Sequence, residues 1–274
     1  MRLCLWTLAQ QSWTDLLDAV SHADRKGWHG AYVADHFMGD GAQFGAVDGP
    51  VWEATATVAA LATRTTSLRL GTLVLSSTYR HPAVVANWAT TVDHASGGRL
   101  VLGVGAGWQA NEHEQYGLGL PTPGARLRRL DETCTVLRSL LDRPRTTFHG
   151  RSFTVDGALL EPKPRQAHLP LLVGAKGDRA LRIVARHADV WNLWALPDAL
   201  AARAAVLDRH CESIGRDPLT IERSVQALVM VTDDTSHARR FVDRVAPRAA
   251  IAGPLDHVVA VSYTHLTLPT IYSV

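Results

Sequence analysis

The regular alternation of two hydrophobic patterns constrains the fold of this chain more than any other feature. Short apolar runs, typical of strands buried on both faces of a parallel sheet, recur between longer segments with the 3.6-residue spacing of amphipathic helices. The predicted strands are residues 3–8, 31–34, 68–75, 100–104, 171–173, 190–193 and 224–231. Seven strand–helix repeats with short connections predict an α/β fold in which helices link parallel strands.

Helix-boundary signals lie between these strands. Ser12 followed by Asp15 is an N-cap arrangement, and Gly27 can provide a left-handed C-cap for the same helix. A later helix begins at Pro82 and ends at Gly97. Further helices are predicted at residues 53–63, 125–141, 179–187, 199–214 and 236–245, and a small hairpin at residues 146–148 and 152–155. One repeating pattern thus accounts for most of the sequence.

Two α/β architectures are compatible with this pattern, a doubly wound sheet and a barrel. A doubly wound nucleotide-binding sheet usually carries a glycine-rich turn after its first strand, whereas here that turn is Ala9-Gln10-Gln11. We therefore predict a (β/α)8 TIM barrel that forms one domain over residues 1–260.

The sequence changes character after the seventh repeat. Residues 262–270 show no helical period, and no eighth strand–helix pair follows. We expect a barrel truncated before its eighth repeat, with residues 261–274 as a non-native tail. Without an eighth strand, two edges of the sheet would remain unpaired.

Composition narrows the classes of partner. The chain is 46% hydrophobic and 20% charged, which is the balance of a globular protein with a sizeable core. Its net charge of +2 and scattered basic residues argue against nucleic acid or a membrane surface as partner. Cys4, Cys134 and Cys211 are odd in number and far apart, which argues against a disulfide framework and for a cytoplasmic location.

In barrels of this type the active site is built from loops at the carboxyl ends of the strands. Asp35 and His36 directly follow the second strand, where they either form a capped turn or place an imidazole for proton exchange beside a ligand. Residues 71–77 end the third strand, either as a buried strand entering a serine-rich turn or as a bulge that supports a flat ring beside Ser76.

Glycine-rich segments end two further strands. Gly103, Gly105 and Gly107 lack the spacing of a dinucleotide fingerprint but allow the backbone to approach a ring or phosphate closely. The polar residues 111–114 follow, without the His-x-His or His-Glu-x-x-His spacing of a metal site, so we expect no metal. Residues 174–177 precede a helix, and they fit either a phosphate site or a solvated turn.

Five segments in this order resemble one protein family. They are Ala34-Asp35-His36-Phe37, Leu70-Gly71-Thr72-Leu73-Val74, Tyr79-Arg80-His81-Pro82-Ala83, Ser96-Gly97-Gly98-Arg99-Leu100 through Gly107-Trp108, and Ala188-Asp189-Val190-Trp191-Asn192. Together they resemble the luciferase-like monooxygenase family, in particular its coenzyme F420-dependent oxidoreductases. The resemblance implies a barrel with inserted loops, often dimeric, that holds coenzyme F420 or FMN at its mouth.

The resemblance also implies roles for individual residues. Asp35 and His36 would border the coenzyme ring as the catalytic residues, and the Leu73–Val74 bond would be a cis peptide behind that ring. The other implied coenzyme contacts are Ser76 and Asn111 on the ring or ribityl chain, and Gly174, Ala175, Lys176 and Gly177 on the phosphate. The sugar-phosphate dehydrogenase branch has a catalytic carboxylate where this chain has Trp108, which puts that substrate class in doubt.

Four hypotheses about function follow. The first is hydride transfer between F420 and a small organic substrate, with His36 relaying the accompanying proton. The second is an FMN-dependent monooxygenase on the same scaffold. The third is a coenzyme-binding protein without turnover, and the fourth is a metal-dependent hydrolase, which the missing His-x-His on the first strand disfavours.

Overall fold

A computed structural model describes residues 2–7, 10–41, 45–195, 197–226, 234, 236–237 and 239–240. The strands are β1 (Cys4–Thr7), β2 (Gly30–Val33), β3 (Arg69–Thr72), β4 (Leu75–Ser76), β5 (Leu100–Gly105), β6 (Thr146–His149), β7 (Thr154–Ala158), β8 (Leu171–Gly174), β9 (Val190–Trp194) and β10 (Glu222–Gln226). The helices are α1 (Trp13–Arg25), α2 (Ala54–Arg64), α3 (Pro82–Ala95), α4 (Ala110–Gln115), α5 (Pro123–Asp142), α6 (Asp178–His187) and α7 (Pro197–Glu212).

The main sheet follows the order of the chain. Its strands run β1-β2-β3-β5-β8-β9-β10, each neighbouring pair is parallel, and β4 also pairs with β5. Strands β6 and β7 form the predicted antiparallel hairpin between α5 and β8. Parallel neighbours in chain order, joined by helices, are the arrangement of a (β/α) barrel, so the predicted fold class is confirmed.

The sheet curls so that its first and last described strands approach each other. Arg2, just before β1, forms an ion pair of 3.1 Å with Glu222 at the start of β10. The rings of Trp6 in β1 and Trp194 in β9 meet edge to face with centroids 5.6 Å apart. These contacts bring together strands that stand far apart in the order of the sheet.

Burial of both sheet faces explains the apolar strand pattern. All six residues of β5 are buried, because helices cover one face and the barrel interior covers the other. In α1 the buried residues Leu16, Val20 and Ala23 recur at helical spacing and pack in the same core cluster. Each fully buried leucine or valine contributes roughly 1.5–3 kcal/mol to the folded state.

The third strand differs from its prediction. Residues 68–75 were expected to form one strand, but β3 ends at Thr72, β4 begins at Leu75, and the Leu73–Val74 peptide bond between them is cis, as the resemblance implied. Strand β5 continues past this interruption and pairs with both pieces. A Cβ on Gly103 would lie 1.9 Å from the Thr72 carbonyl oxygen, so only glycine fits beside the interruption.

The short helix α4 was not predicted. It occupies six residues of a segment expected to be a loop, because six residues are too few to show a helical period. Residues 227–231 of the predicted seventh strand, most of the predicted helix at 236–245 and the predicted tail at 261–274 lie outside the described residues. None of the described helices is long and apolar enough to cross a membrane.

Candidate active site

The carboxyl ends of β2, β3, β5 and β8 lie at one edge of the sheet because these strands are parallel. The side chain of Val74 connects three of these ends. A Cβ on Gly105 would lie 2.5 Å from Val74 Cγ2, and a Cβ on Gly174 would lie 3.2 Å from the same atom. The interruption of the third strand therefore lies directly against the ends of β5 and β8.

Asp35 is buried and holds the third-strand region in place. Its Oδ2 accepts hydrogen bonds of 2.8 Å from the Ser76 amide and 2.8 Å from Arg80 Nη1, and Arg80 also pairs with Glu53. Burial raises the pKa of the Asp35 carboxyl, and the Arg80 guanidinium and the Ser76 amide oppose this rise. The other oxygen, Oδ1, is buried and has no hydrogen-bond partner within the described structure.

His36 is paired with a buried carboxylate. Its Nδ1 lies 2.9 Å from Glu112 Oε1, and Glu112 Oε2 accepts a 2.8 Å hydrogen bond from the Phe37 amide. The Tyr79 hydroxyl also helps to lower the pKa of this carboxylate. Burial would raise the pKa of Glu112, but these hydrogen bonds outweigh burial and hold its pKa below the ordinary value. An ionised carboxylate only accepts, so His36 Nδ1 carries a proton and Nε2 is the nitrogen suited to proton exchange with a ligand.

The segment that includes α4 is hydrogen-bonded to the loop after β2. Besides the contacts of Glu112, Gln109 Nε2 donates to the Met38 carbonyl oxygen over 3.0 Å, and Asn111 Nδ2 donates to the Gly39 carbonyl oxygen over 2.9 Å. These bonds fix the position of the loop that carries His36. Because the amide nitrogen of Asn111 is engaged with the loop, its side-chain oxygen is the group that could contact a coenzyme.

Aromatic side chains border His36 at the mouth of the barrel. Trp108 is 52% exposed, and its ring meets the His36 imidazole edge to face with centroids 5.7 Å apart. The rings of Phe37 and Tyr116 lie 5.2 Å apart, and Tyr116 is 57% exposed. Exposed aromatic surface next to an imidazole suits a planar or apolar ligand.

A cavity of about 360 Å³ lies between the end of β5 and the first turns of α5 and α6. Arg126 and Arg179 line it, and neither guanidinium has an ion-pair partner among the residues that the structure describes. Helix α6 begins after Gly177, which has no side chain to cap the first-turn amides. Asp178 also lines the cavity, and its carboxylate is paired with Arg203. Two guanidinium groups and uncapped amides at a helix N-terminus suit a phosphate or carboxylate group.

Only one end of the predicted phosphate segment borders this cavity. Gly177 lines it, whereas the Ala175 amide donates to the Asn192 carbonyl oxygen over 3.1 Å and is not available to a ligand. Lys176 is exposed and does not line the cavity. Gly174 instead packs against Val74.

Glu112 and Arg126 are the site residues whose roles the sequence did not reveal. Glu112 stood out only as one of four consecutive polar residues, and pairing it with His36 requires the contact between α4 and the loop after β2. Arg126 lies in the first turns of a long helix, where an arginine is ordinarily a solvated surface residue. No group of three or more potential metal ligands occurs within the described ranges.

The chain is similar to several known proteins. A family model described as luciferase-like monooxygenase matches residues 1–266. The F420-dependent glucose-6-phosphate dehydrogenase of Microbacterium testaceum is 34% identical over 179 residues, which cover 64% of this chain and 51% of that protein. The pyrimidine monooxygenase RutA of Cronobacter sakazakii is 33% identical over 165 residues, covering 58% and 47%.

A solved structure extends the likeness to the fold. An F420-dependent secondary alcohol dehydrogenase in complex with an F420-acetone adduct superposes with a TM-score of 0.81 at 22% identity, over 95% of this chain and 85% of that chain. The chain spans about half the length of the curated relatives it matches. Since the family model covers nearly the whole sequence, the chain belongs to the luciferase-like monooxygenase family.

Proposed function

We propose that this protein is an oxidoreductase that binds coenzyme F420 at the barrel mouth and moves a hydride between the coenzyme and a small organic substrate. The observation that carries the proposal is the His36–Glu112 pair, which lies at the same edge of the sheet as the Val74 wall. Relatives named as F420-dependent enzymes support the choice of coenzyme.

The residues present fit the two ends of such a coenzyme. A flat ring needs a wall with few protruding side chains, and Gly105 and Gly174 add none where they pack against Val74. The anionic end needs positive charge and free amides, which Arg126, Arg179 and the first turn of α6 provide. Ser76 and the side-chain oxygen of Asn111 are the proposed contacts between these ends.

When bound, F420 supplies a carbon atom that accepts or releases a hydride. The protein must then move the accompanying proton. His36 takes or gives this proton through Nε2, while Nδ1 keeps its hydrogen bond to Glu112. The Glu112 carboxylate stabilises the imidazolium that forms, and its lowered pKa keeps it ionised at neutral pH. Asp35 holds Ser76 and Arg80 in place and is a positioning residue rather than a catalytic one.

The proposed substrate is small and at least partly apolar. Trp108 stands beside His36 with half of its side chain exposed, where a substrate on the open face of the ring would contact it. An indole carries no charge that could pair with a carboxylate or a phosphate group. Stacking or apolar contact is the interaction it provides.

A second candidate is an FMN-dependent monooxygenase. The observation that favours it is the 33% identity to a pyrimidine monooxygenase, which is close to the 34% identity to the F420-dependent relative. The cavity beside Arg126 and Arg179 would accept the FMN phosphate equally well.

Titration of the purified protein with each coenzyme separates the two candidates. We expect F420 fluorescence to be quenched to a one-to-one end point, with FMN fluorescence little changed at the same concentrations. His36→Ala should bind F420 as the wild type does but fail to reduce it with any substrate that the wild type oxidises. Quenching of FMN alone would favour the monooxygenase, and quenching of neither would contradict both candidates.

A further inference from the structure

A chain of buried hydrogen bonds extends from Ser76 into the protein. Ser76 Oγ lies 2.6 Å from Thr78 Oγ1, which lies 2.6 Å from His113 Nε2. The other ring nitrogen, His113 Nδ1, lies 2.6 Å from the Gln109 carbonyl oxygen. All four residues are buried, and His113 is only 1% exposed. The mechanism proposed above makes no use of His113.

The donors and acceptors of this chain can be assigned from two observations. The Gln109 carbonyl oxygen can only accept, so His113 Nδ1 carries a hydrogen and donates it. Neither ring nitrogen contacts a carboxylate within the described residues, and a buried charge without a counter-charge is unfavourable, so the imidazole is assigned as neutral. A neutral imidazole has one N–H, and therefore Nε2 accepts from the Thr78 hydroxyl.

The direction of the Thr78–His113 hydrogen bond also determines the direction of the hydrogen bond between Thr78 and Ser76. Thr78 has one hydroxyl hydrogen, and it donates this hydrogen to His113 Nε2. In the bond between Thr78 and Ser76, Thr78 Oγ1 is therefore the acceptor and the Ser76 hydroxyl is the donor. The Thr78 amide also points at Ser76 Oγ over 3.4 Å. Ser76 is therefore left with a lone pair and no hydrogen for any other partner.

The surroundings hold the two hydroxyls in this arrangement. A Cβ on Gly107 would lie 2.4 Å from Ser76 Oγ and 2.8 Å from Thr78 Oγ1, so the glycine turn packs directly on both oxygens. The Tyr79 ring lies against the His113 ring, with centroids 4.8 Å apart. The Ser76, Thr78 and His113 side chains therefore cannot change rotamer without disturbing these contacts.

We infer that His113 is a positioning residue that acts through Thr78 to make Ser76 an obligate hydrogen-bond acceptor toward the coenzyme. Ser76 Oγ would accept a hydrogen bond from a ring N–H or a ribityl hydroxyl. It would bind poorly any ligand that presents only a hydrogen-bond acceptor at that point. This role rests on the proposed function in one respect only, that the coenzyme reaches Ser76. The direction of the chain is a property of the protein without ligand.

The direction is tested first, without coenzyme. Nitrogen-15 NMR of histidine-labelled protein reports which ring nitrogen of His113 carries the hydrogen, and His113→Phe assigns the signal. We expect the Nδ1–H form with Nε2 as acceptor. A protonated Nε2, in the neutral ring or in an imidazolium, would overturn the inference whether or not any coenzyme binds.

The effect on the coenzyme is tested with a double-mutant cycle of Thr78→Val and Ser76→Ala, with Thr78→Ser as the matched control that keeps the hydroxyl. We expect Thr78→Val and Ser76→Ala each to weaken coenzyme binding by roughly threefold to tenfold, and Thr78→Ser to bind as the wild type does. In the Ser76→Ala background, Thr78→Val should add no further loss.

The outcomes separate a specific role from a structural one. If the two losses simply multiply, or if Thr78→Val binds normally, Thr78 does not act through Ser76 and the inference fails. If wild-type protein binds neither F420 nor FMN, the proposed function fails, and the NMR measurement alone decides the direction of the chain. Thermal unfolding of each variant, measured beside the binding, identifies any general loss of structure.

Discussion

His36 Nδ1 lies 2.9 Å from Glu112 Oε1 although 76 residues separate the two in the sequence. The contact joins the loop after β2 to helix α4, and it orients an imidazole at the mouth of the barrel. Both side chains are almost completely buried. A buried carboxylate in such a place contributes little to stability, since its desolvation offsets much of the attraction to its partners.

Glu112→Gln tests whether this pair serves proton transfer. The amide keeps the shape of the side chain but cannot stabilise an imidazolium, so turnover should fall by up to about 10²-fold, while His36→Asn should lose about 10²-fold or more. Coenzyme affinity should change little in either variant. Steady-state rates and coenzyme titrations give both quantities. Equal turnover in Glu112→Gln and wild type would contradict the assigned role.

Arg126→Gln tests the anionic end of the site. Removing one of the two guanidinium groups that line the cavity should weaken coenzyme binding about tenfold and reduce its dependence on salt. Arg128→Gln is the matched control, because Arg128 is an exposed arginine on the same helix that does not line the cavity. Equal losses in both variants would point to general electrostatics instead of a defined site.

Gly105→Ala tests the wall beside Val74. The added Cβ would lie 2.5 Å from Val74 Cγ2, so the valine must move, and such overpacking destabilises by about 1–3 kcal/mol. Coenzyme binding should be lost along with the shape of the wall. Gly124→Ala is the control, since the nearest atom to its Cβ is 3.9 Å away. Denaturant unfolding and coenzyme titration measure the two effects, and a stable, fully binding Gly105→Ala protein would contradict the assignment.

Asp24 binds the backbone at the amino end of β3, the end opposite to the candidate active site. Its carboxylate accepts hydrogen bonds from the amides of Thr66, Ser67 and Leu68 just before β3. Burial alone would raise the pKa of Asp24, but hydrogen bonds from the Ser67 hydroxyl and these amides hold it well below 3.8, its ordinary value. Asp24→Asn should lower the free energy of unfolding at neutral pH by about 1 kcal/mol, since solvent screens this partly exposed carboxylate.

The pH dependence of this effect follows from the lowered pKa. The folded state holds Asp24 ionised more strongly than the unfolded state does, so the stabilisation is complete above the unfolded pKa. It is lost as pH falls from there toward the folded pKa. The difference between wild type and Asp24→Asn should therefore shrink on acidification below about pH 4. A difference that stays constant or grows would contradict this sign.

The repeating strand–helix architecture could be predicted from the sequence because buried strands and amphipathic helices each have a characteristic local pattern of apolar residues. It was also sufficient to place His36, Ser76 and Gly177 at the carboxyl ends of strands, since parallel strands all point one way. The interruption after Thr72 was not visible as periodicity, because Leu73 and Val74 are as apolar as the strand around them.

The partners of the site residues could not be read from local pattern. Glu112 reaches His36 only after α4 has packed on the loop after β2, a contact that spans 76 residues. His113 reaches Thr78 only after α4 has packed on the segment after β4, a contact that spans 35 residues. Ala175 looked available to a phosphate until the neighbouring strand placed the Asn192 carbonyl against its amide. Long-range contacts of this kind depend on the whole fold.

A crystal structure of the protein with bound F420 would test the proposed coenzyme site. The ring should lie against Val74 with His36 at its edge, and the anionic end should lie in the cavity beside Arg126 and Arg179. Coenzyme bound elsewhere, or with its anionic end far from these two arginines, would contradict the account.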